Sequence, residues 1–448
     1  MAKRVIIVGG VAAGMSAAAK ARRNDPGLEI VAYERSGYVS YGSCGFPYAI
    51  KGEIPRVEDV VVRTPERFAK QGITALVRHE VLEIDPAGKT VLVRNLNNGT
   101  EFRDRWDALV LTTGGAASRP PFPGVNLPGI FTLRTVEDAL AIQQWIREHR
   151  PTRGVIIGGG YIGLEMAEAL DAHGIQLTVV ERLPQVLPNL DPEMASHVQA
   201  ELARRSVDVR LDQPVEGFDG DQRVREVMAG GQRIPAEIVI LAVGVKPSVE
   251  LARAAGIALG PTGAVAVDDH QRTNLPGIWA AGDVAEALHR VTGRPAWVPL
   301  GTTANKQGRV AGENVAGGDA RFPGIVGTAV VKVFDLEAAS SGLSEARARV
   351  GGYEVETVSA TANSRAHYMP GHQPIHVKLV YESGSRRLLG GQLVGVEGVA
   401  KRIDIIAAAL HQGWTVDELA ELDLSYAPPF APVWDPILVA ANLARREG

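Results

Sequence analysis

Short unbroken apolar runs alternate along this chain with longer segments of helical spacing. Val5-Ile6-Ile7-Val8 is followed by the alanine-rich stretch after Val11, and Val155-Ile156-Ile157 by a second apolar-periodic stretch after Tyr161. Runs with no polar alternation belong to strands buried on both faces, and their alternation with helices predicts parallel α/β layers. After about residue 325 the pattern changes. Gly327 to Val333, Tyr353 to Thr361, Ile375 to Tyr381 and Leu388 to Val394 read as strands of an antiparallel sheet, followed by a helix from about Ala400 to Gln412. This predicts a third, α+β domain over 326–448.

The two apolar runs open internally similar units. Val5-Ile6-Ile7-Val8-Gly9-Gly10-Val11-Ala12-Ala13-Gly14 leads through a helix to a strand ending Val31-Ala32-Tyr33-Glu34. Gly154-Val155-Ile156-Ile157-Gly158-Gly159-Gly160-Tyr161-Ile162-Gly163 leads to one ending Leu177-Thr178-Val179-Val180-Glu181. In each the acid falls roughly 20 residues after the last loop glycine, the spacing of a dinucleotide-binding unit. Gly158, Gly160 and Gly163 permit the tight turn, the approach of a pyrophosphate and helix–strand packing. The first unit departs from this at Val11, which takes the middle glycine position, so a purely structural βα turn stays open there. The proline-rich Arg119-Pro120-Pro121-Phe122-Pro123-Gly124 reads as a crossover between the units.

Composition narrows the field only modestly. The 448 residues are 45% hydrophobic and 22% charged with a net charge of −4, a balance that points to neither nucleic acid nor membrane. No apolar run is long enough to span a bilayer. Met1-Ala2-Lys3-Arg4 runs directly into a strand, so no signal peptide is expected, and a cytoplasmic protein is the simplest reading. No residue set reads as a metal site. The single cysteine, Cys44, excludes an intrachain disulfide framework, so redox chemistry at this sulfur needs an outside partner.

Thr273-Asn274-Leu275-Pro276-Gly277-Ile278-Trp279-Ala280-Ala281-Gly282-Asp283 reads as a strand ending in Gly-Asp. It resembles the second FAD motif of the pyridine-nucleotide disulfide oxidoreductases. Leu109 to Gly115 and Leu241 to Pro247 resemble the strand-to-loop segments that edge the FAD and NAD domains of that family. The resemblance implies an α/β fold with two Rossmann-like domains, like that of glutathione reductase, and a C-terminal α+β dimerisation domain. The FAD domain would be discontinuous, 1–117 and 250–325, with the NAD(P)H domain, 118–249, inserted. FAD would be held by Gly9, Val11, Ala12, Gly14, Glu34, Arg35, Ser43, Thr113, Gly114, Gly282, Asp283, Leu300 and Thr302, with Asp283 on a ribitol hydroxyl and the following helix N-terminus facing the pyrophosphate. NAD(P)H would be held by Gly158, Gly160, Tyr161, Ile162, Gly163, Glu181, Arg182 and Gly244. Tyr161 matches an aromatic side chain that covers the nicotinamide pocket, although packing at a domain seam explains a tyrosine there as well. Glu181 favours NADH, whereas Arg182 would tolerate the extra phosphate of NADPH.

Ser40-Tyr41-Gly42-Ser43-Cys44-Gly45-Phe46-Pro47-Tyr48 narrows the resemblance to single-cysteine members: coenzyme A disulfide reductases, NADH oxidases and peroxidases, and persulfide or polysulfide reductases. Pro299 to Arg309 and the tail Tyr426 to Pro436 extend it over nearly the whole chain. If Gly45 to Ile50 is a short helix, Cys44 sits at its N-terminus, where dipole and free amides would stabilise a thiolate. The first glycine loop lacks the histidine of the oxidases and peroxidases, and no fused rhodanese domain is expected after Gly448. The coenzyme A disulfide reductases carry two tyrosines that reach from the partner subunit toward the cysteine, and Tyr368 and Tyr426 match them. A phenol there can donate to a leaving thiolate; interface packing is the plainer role. The family match also puts Arg23, Ser40, Ser43, Asn305 and Arg309 along the path of coenzyme A. Lys20 shares a helical face with Arg23, and both also suit an ordinary solvated helix end. The expected protein is a homodimeric FAD enzyme reducing coenzyme A disulfide with NAD(P)H. Persulfide or polysulfide reduction, NADH oxidation and redox sensing are the alternatives.

Overall fold

The computed structural model describes residues 2–447, so the readings at Met1 and Gly448 lie outside the described residues. The first apolar run becomes the strand Arg4–Val8, at the centre of a parallel sheet ordered Ile278–Ala280, Ala108–Leu111, Arg4–Val8, Glu29–Glu34, Ile73–Val77. The second becomes Arg153–Ile157, central to a parallel sheet ordered Asp208–Arg210, Gln176–Val180, Arg153–Ile157, Ile238–Leu241, Ile130–Phe131. The repetition goes further than the loops, because each parallel sheet packs against a three-stranded antiparallel one. Val81, Ile84, Val91 and Val93 bury against the first, and Phe218, Val227 and Ile234 against the second.

Ile278–Ala280 pairs with Ala108–Leu111, so the first sheet is built from two distant stretches of chain. The chain crosses between the sheets on an antiparallel ribbon, Gly115–Ala117 against Val245–Pro247. The expected strand through Asp283 is only Ile278–Ala280, and no helix follows it directly. A hairpin of Ala287–His289 and Arg294–Ala296 intervenes before the helix Gly301–Val315. That helix lies backbone to backbone against Ala12–Asn24. A Cβ on Gly308 would stand 2.2 Å from the Ala13 carbonyl oxygen, and one on Gly312 2.2 Å from that of Ala17.

The C-terminal sheet is antiparallel, as the alternation predicts, but it has five strands, ordered Ala329–Val333, Leu336–Gly342, Leu388–Gly395, Pro374–Glu382, Val355–Asn363. Leu336–Gly342 escaped the sequence reading because Ala338 to Gly342 are all small and the segment, LEAASSG, has no β-branched or aromatic side chain. The expected helix is present as Val399–Gln412. This layer is pinned to the second parallel unit by Lys378, 2% exposed, which pairs with Asp191, Glu193 and Glu345.

Candidate active site

The two glycine loops close by the same contacts. Gly9 has φ +103° and a Cβ there would meet the Thr112 carbonyl oxygen at 2.2 Å; Gly158 has φ +107° and would meet that of Ala242 at 2.4 Å. A Cβ on Gly14 would stand 1.9 Å from the Gly9 oxygen, and one on Gly163 2.0 Å from the Gly158 oxygen. Only glycine fits these four positions. The middle position is different. A Cβ on Gly160 meets nothing within 4 Å, and the backbone there has an ordinary φ of −83°. Val11, with a negative φ of −102°, therefore takes the middle position of the first loop without needing glycine's left-handed freedom.

The two acids also match. Glu34 accepts from the Gly10 and Ser36 amides at 2.7 and 2.8 Å, and Glu181 from those of Gly159 and Leu183 at 2.7 and 2.8 Å. Each carboxylate thus braces its loop, and its remaining lone pairs are left for a ribose hydroxyl. Arg182 beside Glu181 is exposed.

A cavity of about 520 Å³ joins the first loop to the thiol segment. It is lined by Gly9, Val11, Glu34, Arg35, Ser43, Thr113 and Gly114, all expected to hold FAD, and by Arg134, Ser248 and Glu250, which were not anticipated. Exposed loop backbone, a ribose-accepting acid and the thiol segment on one cavity fit FAD. Gly282 and Asp283 stand just behind it. The Gly282 amide donates to the fully buried Gln307, and Asp283 pairs with Arg134. Leu300 precedes the helix Gly301–Val315 and Thr302 is exposed on its first turn. Arg134 was missed for a physical reason. Thr135 and Asp138 form a capping box that marks a helix start locally, but nothing local reveals that the preceding side chain reaches Asp283, 149 residues away.

In the second unit, Gly160 caps the helix Tyr161–Asp171, Ile162 is half-buried in its first turn, and Gly244, at φ +100°, accepts from the Ser118 amide. The Tyr161 hydroxyl accepts from Asn189, whose amide also donates to Ser340 in the C-terminal sheet. Tyr161 thus packs at a seam between domains.

Cys44 lies in a 3₁₀ turn, Ser43–Gly45, ahead of the six-residue helix Phe46–Lys51. It is exposed, yet the protein packed around its sulfur pushes the thiol up, and Glu165 and Asp283 push it further. Arg134 and a backbone hydrogen bond oppose this without reversing it. The expected thiolate stabilisation by the helix start is therefore corrected: the chain alone favours the thiol, because desolvation and carboxylates outweigh one short turn of amides.

The residues expected to line the substrate path fall into two groups. Ser40, at φ +51°, donates its amide to the Gly10 carbonyl and so joins the thiol segment to the first loop. Asn305 accepts from Ser16 Oγ at 2.7 Å, and Lys20 pairs with Glu313 at 2.9 Å. Helical spacing then sets Arg309 between these two contacts along the seam of the crossed helices, with Arg23 one turn past Lys20. Arg23 and Arg309 are exposed, whereas the Lys20 charge is already matched. Tyr368 and Tyr426 lie in the C-terminal domain with their hydroxyls 3.0 Å apart, both exposed. The hydrogen bond it shares with Tyr368 raises the Tyr426 phenol. Phe430, Val433 and Trp434 are exposed in the same tail.

Two matched nucleotide loops and a thiol next to the first loop's cavity define a flavin- and pyridine-nucleotide-dependent oxidoreductase. The chain belongs to the pyridine nucleotide-disulphide oxidoreductases: residues 3–308 match that family and residues 328–436 match its dimerisation domain. The NAD(P)H coenzyme A polysulfide/persulfide reductase of Pyrococcus horikoshii is 41% identical over 446 residues, covering 99% of each chain. The coenzyme A disulfide reductase of Staphylococcus aureus is 33% identical over 433 residues, covering 96% of each. The structure of an NAD-dependent persulfide reductase from A. fulgidus matches with a TM-score of 0.97 at 41% identity, over 99% of this chain and 83% of that one. Among the described residues no helix is long and apolar enough to cross a membrane.

Proposed function

We propose that this protein is a cytoplasmic homodimer that reduces coenzyme A disulfide, or related coenzyme A-linked disulfides, with NAD(P)H through Cys44. The observation that carries this reading is the placement of one exposed thiol next to Ser43, which lines the flavin-sized cavity, in a chain with no second cysteine. Bound FAD supplies a two-electron relay between nicotinamide and sulfur. Gly9, Gly14, Glu34, Thr113 and Asp283 hold that relay, and Gly158, Gly160, Gly163 and Glu181 hold the donor. Cys44 attacks one sulfur of the substrate; the substrate S–S bond breaks, one thiolate leaves, and Cys44 keeps the other half as a mixed disulfide. Two electrons then break that bond, restoring Cys44 and releasing the second thiol. Arg23, Ser40, Asn305 and Arg309 bind the phosphate-bearing arm, and Tyr368 and Tyr426 of the partner subunit donate to the leaving sulfur.

Mass spectrometry of the denatured protein, isolated under oxidising conditions, tests this. One coenzyme A adduct, removable by a reductant, is expected on Cys44; its absence counts against the reading. Cys44→Ser should keep flavin reduction by NAD(P)H and lose disulfide turnover. The greater identity to the Pyrococcus horikoshii protein than to the Staphylococcus aureus one favours a second reading, in which Cys44 cycles through a persulfide. Steady-state rates with coenzyme A disulfide, coenzyme A persulfide and polysulfide separate the two.

A further inference from the structure

The two tyrosines sit on chain without regular structure. Tyr368 lies in the loop 364–373 and Tyr426 in the tail 422–435, both outside helix and strand. Their hydroxyls nevertheless meet at 3.0 Å. A backbone tie, from the Ala366 amide to the Pro428 carbonyl at 3.2 Å, joins the two segments at one point.

A buried guanidinium joins them at a second. Arg402 lies near the start of the helix Val399–Gln412 and is buried together with Ser364 and Asp435. Its Nε donates to Asp435 Oδ2 at 2.7 Å, its Nη2 to the Ser364 carbonyl at 2.9 Å and its Nη1 to the Gly398 carbonyl at 3.1 Å. Ser364 is the base of the Tyr368 loop. Its amide donates to the Gln373 carbonyl at 2.7 Å, and the Gln373 amide donates back to Ser364 Oγ at 3.0 Å. Asp435 is the end of the Tyr426 tail, where its Oδ1 accepts from the Ile437 amide at 3.0 Å and caps the helix Pro436–Glu447. Gly398 lets the guanidinium come this close, since its φ is +78° and a Cβ there would collide with Nη1. The three bonds leave one rigid plane toward three partners, which the single ammonium of a lysine cannot reproduce.

We infer that Arg402, with Asp435, is a positioning residue for the reaction. It fixes Tyr368 and Tyr426 as one aligned donor by holding the base of one segment and the end of the other to the same helix. Arg402 acts through these segments and takes no part in the chemistry itself. The inference rests on the proposed role of the two phenols at the leaving sulfur, and not on which sulfur substrate is reduced.

The test is a cycle of variants in the flavin-loaded dimer. It is read by turnover of coenzyme A disulfide or coenzyme A persulfide, whichever wild type reduces faster, and by stopped-flow reduction of the flavin by NAD(P)H. Arg402→Lys keeps the charge and loses the fork. It should lower turnover by about tenfold or more, the cost of a misplaced reacting group, and leave flavin reduction unchanged. Added to Tyr368→Phe/Tyr426→Phe, the same change should cost less than about twofold, because residues that act as a unit are not additive. An equal loss in both backgrounds makes Arg402 merely structural and overturns the inference. Wild-type turnover in Arg402→Lys beside a slow double tyrosine variant overturns the inference alone. Wild-type turnover in the double tyrosine variant removes the role of the phenols, and the inference falls with it. If Arg402→Lys does not keep flavin and dimer, Asp435→Asn decides by the same cycle. Its oxygen still caps Ile437, but its amide meets the guanidinium donor against donor.

Discussion

The hydroxyls of Tyr368 and Tyr426, 58 residues apart in sequence, meet at 3.0 Å on the exposed face of the C-terminal domain. The contact is held by backbone pairing, since the Ala366 amide donates to the Pro428 carbonyl and so ties the two segments together. Two phenols that share a proton position act as one donor. Tyr368→Phe and Tyr426→Phe should each lower disulfide turnover by about tenfold, or roughly 1.4 kcal/mol of transition-state stabilisation. The double variant should lose less than the product of the two. Stopped-flow reduction of the flavin by NAD(P)H, measured on the same variants, should not change.

The glycine loops should tolerate change at one position and not at the next. Gly163→Ala places a Cβ 2.0 Å from the Gly158 oxygen and must open the second loop. Its KM for NAD(P)H should rise at least about tenfold while flavin content stays the same, because the loss is confined to donor binding. Val11→Gly should keep flavin and cost less than about 1 kcal/mol of stability, since it only adds backbone freedom. Flavin absorbance per protein and thermal unfolding check both.

Glu165 should make stability depend on pH. Its carboxyl lies at about 7 in the folded protein against an ordinary 4.5. Below pH 4.5 it is protonated in both states and costs nothing. Between 4.5 and 7 the unfolded chain releases the proton first, so stability falls as pH rises, and the full cost remains above 7. Glu165→Gln escapes this cost. The variant should gain on wild type across that window, by up to about 3 kcal/mol at pH 8, and show no gain at pH 4.5. Denaturant unfolding at the two pH values measures the difference.

Lys378 should be one of the costliest positions in the C-terminal domain. It is 2% exposed and faces Asp191, Glu193 and Glu345. Gln392 holds Asp191 from a second side, donating to its carboxylate and accepting from its amide, both at 2.7 Å. Lys378→Met keeps the volume and leaves buried acid unpaired, which costs about 3–5 kcal/mol. The loss should shrink as pH falls through the carboxylate range, because Lys378 is what chiefly holds the Glu345 carboxyl below its ordinary value and that pairing is lost once the acid protonates. Chemical unfolding at pH 7 and pH 4 tests this.

The glycine loops, Cys44 and the apolar runs were legible because their physics is local. A glycine needed for a close carbonyl contact is visible at fixed spacing, and a buried parallel strand shows itself as an unbroken apolar run. The strand Leu336–Gly342 was not legible. Its small residues are held by the strands on either side rather than by their own propensity. Arg134 was invisible as a site residue for a related reason, since its partner Asp283 is brought beside it only when the first sheet closes across two distant stretches of chain.

By itself the sequence determined two nucleotide units, a single cysteine and a separate C-terminal sheet, because spacing and periodicity along a chain fix which backbone turns and which buried faces are possible. Only the tertiary structure decided how that sulfur behaves. Whether Cys44 rests as thiol or thiolate depends on desolvation and on Glu165, Asp283 and Arg134, charges drawn from three other parts of the chain. Electrostatic energy follows distance through space, and sequence separation carries no record of it.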